Sequence, residues 1–302
     1  MNELATQSAN GTNSNTDRKA IQDEIDQLTT EIDRVSETTK FNETYLLKGD
    51  GAEKAHNVNA HDAGLDGVTL TDKGDKVDVT LKELNAGDKI SIAGKNYTIG
   101  ALADDAKKLY DGVATDGTAT VTVNGKAYTV QDTTPDTAKN EITKANLDKL
   151  VTAGVTVEYN GKSMTVMDAD ANGVDKKDSS IITAAAAYKL ETAEIVKASS
   201  IGTDTKATAG TLTNNTFTLT KGKVNYNDAL SFNLHVGADA DMTNKITVNI
   251  DSMNSAGLGV KGIKADTEQD ATYAIDAIAD AISTVSSQRS ALGAVQNRLE
   301  HT

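Results

Sequence analysis

Residues 273–299 read YAIDAIADAISTVSSQRSALGAVQNRL. Taken in alternating steps of three and four, this stretch sets Ile275, Ile278, Ile282, Val285, Arg289, Leu292, Gln296 and Leu299 on one line. That is the narrow seam of a coiled coil rather than the broad face of a globular helix. Fully helical, the stretch would make a rod of about 40 Å. A helix in water owes most of its stability to packing its apolar seam, so this one needs a partner. The polar seam positions Arg289 and Gln296 favour a specific pairing, because polar groups in a narrow seam set register at some cost in stability; both could also reach solvent from its edge.

A partner lies near the other end of the chain. MNELATQ, residues 1–7, looks like the tail of a helix, and the polar run SANGTNSNTD, residues 8–17, reads as a loop. A second helix then starts with Asn15, Thr16 or Asp17 available as N-cap and runs to about Thr39. Within it Ile21, Ile25, Leu28, Ile32 and Val35 step four, three, four, three. Joining the two seams makes one helical domain from residues 1–50 and 230–302, with 51–229 as an insertion. Closing a long insert costs little more than closing a short one, since loop entropy grows logarithmically.

The insertion is rich in β signals. Gly51–Ala63 has no periodicity and reads as a loop or domain boundary. ISIAGKNYTI (Ile90–Ile99), VTVNGKAYTV (Val121–Val130) and VEYNGKSMTV (Val157–Val166) echo one another, each a strand, a tight turn carrying Gly-Lys, and a strand. Asn124-Gly125 and Asn160-Gly161 tolerate the positive φ of a two-residue hairpin turn. Helices are predicted over Asp104–Tyr110, Thr137–Val151 and Ile181–Ala198, and strands over Thr216–Thr220, Ser231–Val236 and Lys245–Ile250, the last two joined by GADADMTN. The fold class is therefore α+β: an elongated coiled-coil rod formed by both termini, carrying an insert of one or two small hairpin-rich modules.

Composition narrows the function. With 38% hydrophobic residues, 4% aromatic, one Pro, no Trp and no Cys, thick cores, disulfide scaffolds and thiolate metal sites are all disfavoured. The formal net charge of −14 opposes binding to nucleic-acid backbones and to anionic membranes. No apolar run is long enough to span a bilayer, and the first thirty residues are too polar for a secretory signal peptide.

Catalytic and metal signals are weak. His56 and His61, followed by Asp62, lack the spacing and intervening Glu of a helical zinc peptidase, and read as an exposed loop; His235 and His301 stand apart. Asp168-Ala-Asp170-Ala-Asn172-Gly173 begins like a calcium loop. Ser179 occupies the closing Glu position, however, and Asp175 the apolar one, which favours a solvated acidic turn. No cofactor and no catalytic residue are expected.

Four blocks do resemble a known family. ELATQSANGTNS, then EIDRVSETTKFN with LLKGD after it, FNLHVGADADMTNKITVNI and SSQRSALGAVQNRLEH resemble bacterial flagellin over Met1–Asp50 and Leu230–Thr302, in the family's order. The resemblance implies a rod domain, D1, made of both termini and the β-hairpin, with the insert as the hypervariable outer region. It also implies that the D0 helices and most of the first D1 helix are missing, so a fragment of this extent is expected to be monomeric and not to polymerise. The implied function is a structural filament subunit of the extracellular flagellum, exported by the flagellar type III route without a signal peptide.

D1 domains of this family also face the innate immune receptor TLR5. By matching motif the contacts fall on Leu4, Gln7, Ile21, Glu24, Gln27 and Arg298, although Leu28 stands where stronger agonists carry a basic residue. An insert acting as a carbohydrate- or surface-binding adhesin is the alternative. A metallopeptidase insert, known in some flagellins, is disfavoured by the missing HExxH.

Overall fold

Ser14 caps the long N-terminal helix. Its Oγ accepts from the Asp17 N–H at 3.2 Å, while Asp17 Oδ2 accepts from the Ser14 N–H at 3.1 Å. The cap therefore precedes the expected Asn15, Thr16 or Asp17, because the motif needs a hydroxyl and an acid three residues apart. The computed structural model describes residues 1–236 and 244–301, and it is α+β. Its helices are α1 (Asn2–Ser8), α2 (Asn15–Thr38), α3 (Ala103–Lys108), α4 (Lys144–Leu150), α5 (Ala184–Ala198) and α6 (Glu268–Glu300). The chain forms two compact units, Met1–Thr80 with Ala193–Thr302, and Leu81–Thr192.

These limits differ from the expected division at 50/51 and 229/230. Asp50–Asn57, expected as a loop, is a strand antiparallel to Lys223–Asp228, and Thr69–Asp72 and Lys76–Thr80 share a four-stranded sheet with Thr216–Thr220 and Thr208–Ala209. The two ends of the insertion thus pair with each other and join the unit that holds the termini. Nothing local signals the first of these strands: DGAEKAHN is polar and does not alternate, and its partner lies far along the chain.

The helices of this unit share a core of Ala5, Ile21, Ile25, Val260, Ile263, Ala265, Ala271, Ala274, Ala277, Ile278 and Ala281. The expected seam is displaced here. Of its positions on α6 only Ile278 is buried, Ile275 is half-buried and Ile282 is 52% exposed. The buried arc turns toward the alanines, each one or more steps of about 100° around the helix from the seam line. Small side chains let neighbouring segments approach the helix closely, so the alanine flank is the one covered.

Past Ala281 the cover thins. Val285 and Leu299 are each 37% exposed, Leu292 is half-buried, and Arg289 and Gln296 face outward, Gln296 bonding Glu300 one turn on. On α2, Ile21 and Ile25 are buried, Leu28 and Ile32 half-buried, and Val35 40% exposed. Both seams are therefore well buried at one end only.

Leu230–His235 pairs with Lys245–Ile250, burying Ile246, Val248 and Ile250 on one face. Most of the expected turn GADADMTN lies outside the described residues.

In the second unit the three expected hairpins form: Lys89–Ile92 with Lys95–Ile99, Asp116–Val123 with Lys126–Gln131, and Thr156–Tyr159 with Lys162–Thr165. Each turn has two residues at positive φ: Ala93 and Gly94, Asn124 and Gly125, Asn160 and Gly161. The last two hairpins share a five-stranded sheet whose core includes Val121, Val130, Leu147, Val157 and the fully buried Tyr110.

Two expected helices are shorter. Thr137–Lys139 is a single 3-10 turn followed by the strand Glu141–Ile142, and Ile181–Ile182 is a strand before α5 begins. In both, a β-branched pair or neighbour enters parallel pairing with a hairpin strand, Ile142 beside Val130 and Ile182 beside Ile99.

Candidate interaction surface

The helical end of the first unit is organised by polar side chains that reach far along the sequence. Arg18 on α2 is buried, and its guanidinium donates to the carbonyls of Ser8 (3.0 Å), Asn10 (3.0 Å) and Asn13 (2.9 Å). It thereby fixes the loop between α1 and α2. Glu268 approaches the same guanidinium at 3.8 Å.

Four residues further on, Gln22 donates to the Ile263 carbonyl at 3.0 Å and accepts from the Ala265 N–H at 2.5 Å. An amide that both donates and accepts satisfies two otherwise orphaned backbone groups of an extended segment. Asp33 similarly accepts from the Ser255 N–H (2.7 Å) and hydroxyl (2.9 Å), while Gln288 on α6 clamps Asn249 and Asp251. Periodicity does not single these residues out, because a polar residue on an amphipathic helix reads first as a solvent contact. Their one sequence signal is position: Arg18 and Gln22 fall on the turns that carry Ile21 and Ile25.

The residues implied by family resemblance divide by exposure. Gln7, Glu24, Gln27 and Arg298 are exposed, and Leu4 is half-buried against the core. Ile21 is 6% exposed and belongs to the core, so its side chain has little to offer a partner as it stands. Glu24 and Gln27 are three apart on α2, hence neighbours on one flank, with Glu31 continuing it. Beside them lies a mostly apolar groove of about 350 Å³, lined among others by Ile32, Val35, Leu258, Val285 and Leu292. An apolar groove of this kind is a site where another surface can bury area.

The other candidates serve local structure. His56 is not on a loop: it lies in the strand Asp50–Asn57, stacks on Tyr226 with ring centroids 3.9 Å apart, and sets Nε2 3.3 Å from Asp228. His61 sets Nε2 4.0 Å from Asp280. Among the described residues no three His, Cys, Asp or Glu side chains converge to hold a metal. In the acidic loop Asp170 accepts from the N–H groups of Val174 (3.0 Å) and Asn172 (2.8 Å), and Asp175 from those of Lys177 (2.9 Å) and Asp168 (3.0 Å). These bonds hold both carboxyls below the usual carboxylate range. Asp168 pairs with Lys176 at 2.9 Å.

What the fold and this surface define is an α+β protein whose two termini meet in one helical unit with an incompletely covered apolar flank. Residues 1–52 match the profile of the bacterial flagellin N-terminal helical region. Over all of its length the chain is 30% identical to flagellin of Clostridium tyrobutyricum, of which it covers 63%. It is 26% identical to flagellin B of Vibrio anguillarum, again over its full length and covering 60% of that protein. A stretch of 140 residues, 45% of the chain and 26% of the relative, is 39% identical to flagellin of Salmonella montevideo. The chain is thus similar to flagellins along its whole length, and it spans less than two thirds of the length of these relatives.

Among solved structures, FliC from Burkholderia pseudomallei aligns over 98% of this chain and 91% of its own, at 16% identity and a TM-score of 0.32, a likeness too loose to bear on the fold. Among the described residues no helix is long and apolar enough to cross a membrane.

Proposed function

We propose that this chain is part of a structural subunit of the bacterial flagellar filament, extracellular and exported by the flagellar route, with no catalytic role. The 30% identity to a flagellin across the whole chain carries the reading. The uncovered apolar residues Ile282, Val285 and Leu299 on α6 and the groove beside α2 support it, since a helix packed into an assembly presents such a flank. On this reading α1, α2, α6 and the paired strands Leu230–His235 and Lys245–Ile250 make the rod domain D1, and α6 completes its coiled-coil seam against helical partners in the assembled filament.

The test is filament assembly by the full-length protein carrying Ile282→Asp together with Val285→Asp. Filaments should be lost or shortened while the folded monomer keeps its helical circular dichroism. Filaments of normal length and number would remove α6 from the contact.

The same surface is proposed to meet TLR5 through Gln7, Glu24, Gln27 and Arg298, with Leu4 at its margin. The exposure of Glu24 and Gln27 on one flank of α2 favours this. Glu24→Ala in the full-length protein should lower receptor affinity; an unchanged affinity would take Glu24 out of the site.

A further inference from the structure

One concave site in the first unit has a charge opposite to that of the chain as a whole. The protein carries 44 acidic against 30 basic side chains. Yet a cavity of about 550 Å³ is lined by four lysines, Lys197, Lys206, Lys261 and Lys264, and by a single carboxylate, Asp270. Random scatter on so acidic a surface would put more carboxylates than ammonium groups around a cavity.

The internal pairings account for only half of this positive charge. Lys197 sits 2.7 Å from Asp270, and Lys261 sits 2.7 Å from Asp204. Asp270 is already engaged at its other oxygen by the Thr267 hydroxyl at 2.7 Å, within the N-terminal cap of α6. Lys206 and Lys264 are exposed and have no carboxylate partner among the described residues. Two ammonium groups thus border the cavity with their charge unmatched.

The cavity is also apolar and firmly built. Val196, Ile201 and Tyr273 line it. The Tyr273 hydroxyl is fixed by Glu194 at 2.7 Å, and Lys197 lies 5.8 Å above its ring. The loop after α5 is tied by Ser200, whose Oγ donates to the Val196 carbonyl (2.6 Å) and accepts from the Ala207 N–H (3.0 Å). At Gly202, φ is +70° and a Cβ would stand 2.6 Å from the Gly259 carbonyl oxygen, so only glycine permits this approach of the two loops. Cavities of this size with mainly apolar walls and a few polar groups suit compact organic ligands. Lysine acts as a point charge on a tetrahedral oxyanion, whereas a planar carboxylate is better matched by the arginine fork, and the cavity has no arginine.

We infer that this cavity binds a ring-sized phosphate or sulfate monoester, the oxyanion held between Lys206 and Lys264 and the ring resting against Val196, Ile201 and Tyr273. The inference stands apart from the filament reading, since it needs no assembly.

The test is titration of the 302-residue chain with phenyl phosphate and phenyl sulfate, followed by amide chemical shifts of Gly202, Thr203 and Gly262. At least one ester should bind saturably, more weakly by about fivefold or more as the salt rises from about 20 to about 200 mM. Lys206→Gln with Lys264→Gln should weaken it about tenfold, a change expected of lost charge-assisted bonds. The control Lys89→Gln with Lys162→Gln, which lowers net charge equally on the second unit, should leave it unchanged. Equal loss in both double variants, an unchanged affinity in the first, no saturable binding of either ester, or inorganic phosphate binding as tightly as phenyl phosphate would each overturn the assignment.

Discussion

The hairpin unit and the helical unit solve the same problem in opposite ways. In Leu81–Thr192 the decisive bonds are local: each hairpin closes over two residues, Ala93-Gly94, Asn124-Gly125 or Asn160-Gly161, and its register follows from that turn. In the unit holding the termini the decisive bonds are remote. Gln22 reaches residues 241 and 243 positions away, and Asp33 reaches one 222 positions away. Local closure leaves a mark that can be read along the chain, whereas remote closure depends on where α2 and α6 come to rest.

The largest expected effect tests whether the helical unit has one core or a continuous seam. Ile25→Ala should cost about 3 kcal/mol in denaturant unfolding, because Ile25 is fully buried; Ile282→Ala, at a half-exposed position, should cost under about 0.5 kcal/mol. Equal losses would restore the seam through Ile282.

Next comes a titration in the hairpin unit. Glu191 on α5 is 4% exposed, its Oε2 has no hydrogen-bond partner, and burial alone raises its carboxyl from the ordinary 4.5 to about 7. A carboxyl with a raised folded pKa keeps its proton in the native state where the unfolded chain has released it. Stability is therefore full below about pH 4.5, falls as pH climbs from there toward 7, and is lower by about 3 kcal/mol above that window. Glu191→Gln should flatten this dependence and stabilise the protein at pH 8. A slope identical in the variant would mean that Glu191 is ionised and solvated throughout.

A smaller effect concerns the remote clamp. Gln22→Ala leaves the Ile263 carbonyl and the Ala265 N–H unpaired in a buried site, and should cost about 2 kcal/mol with faster hydrogen exchange at Ala265. Unchanged exchange there would show that the segment is held by packing alone. The smallest effect returns to the turns: Ala93 sits at φ +53° where its two counterparts are asparagine. Ala93→Asn should stabilise by about 0.5–1 kcal/mol, since alanine pays more than asparagine for the left-handed region. A destabilised variant would mean that this turn is not relaxed.

The proposed interaction surface was legible to different depths. Glu24 and Gln27 are polar residues on a helix flank, and their exposure follows from the period that buries Ile21 and Ile25. Ile21 is expected both in the rod packing and among the receptor contacts, since an apolar residue at a seam edge can serve either, and its side chain is buried in the core. Arg18 and Gln22 carry no local signal of their role, since a polar residue on an amphipathic helix normally faces solvent. Only the positions of the Ser8 and Ile263 carbonyls make them structural.

The amino-acid order alone determined the helices α2 and α6, the three hairpins and the likeness to flagellins, because periodicity and positive-φ preferences act within a few residues. The tertiary structure alone decided which side of α6 is buried, that Asp50–Asn57 is a strand, where the two units divide, and that four lysines share one cavity. Each of these depends on groups brought together from more than a hundred residues apart or on packing between neighbouring elements, and no local preference encodes such meetings. The alanine flank of α6 is the plainest case: isoleucines mark the seam a reader would choose, and close approach of neighbouring segments selects the small side chains instead.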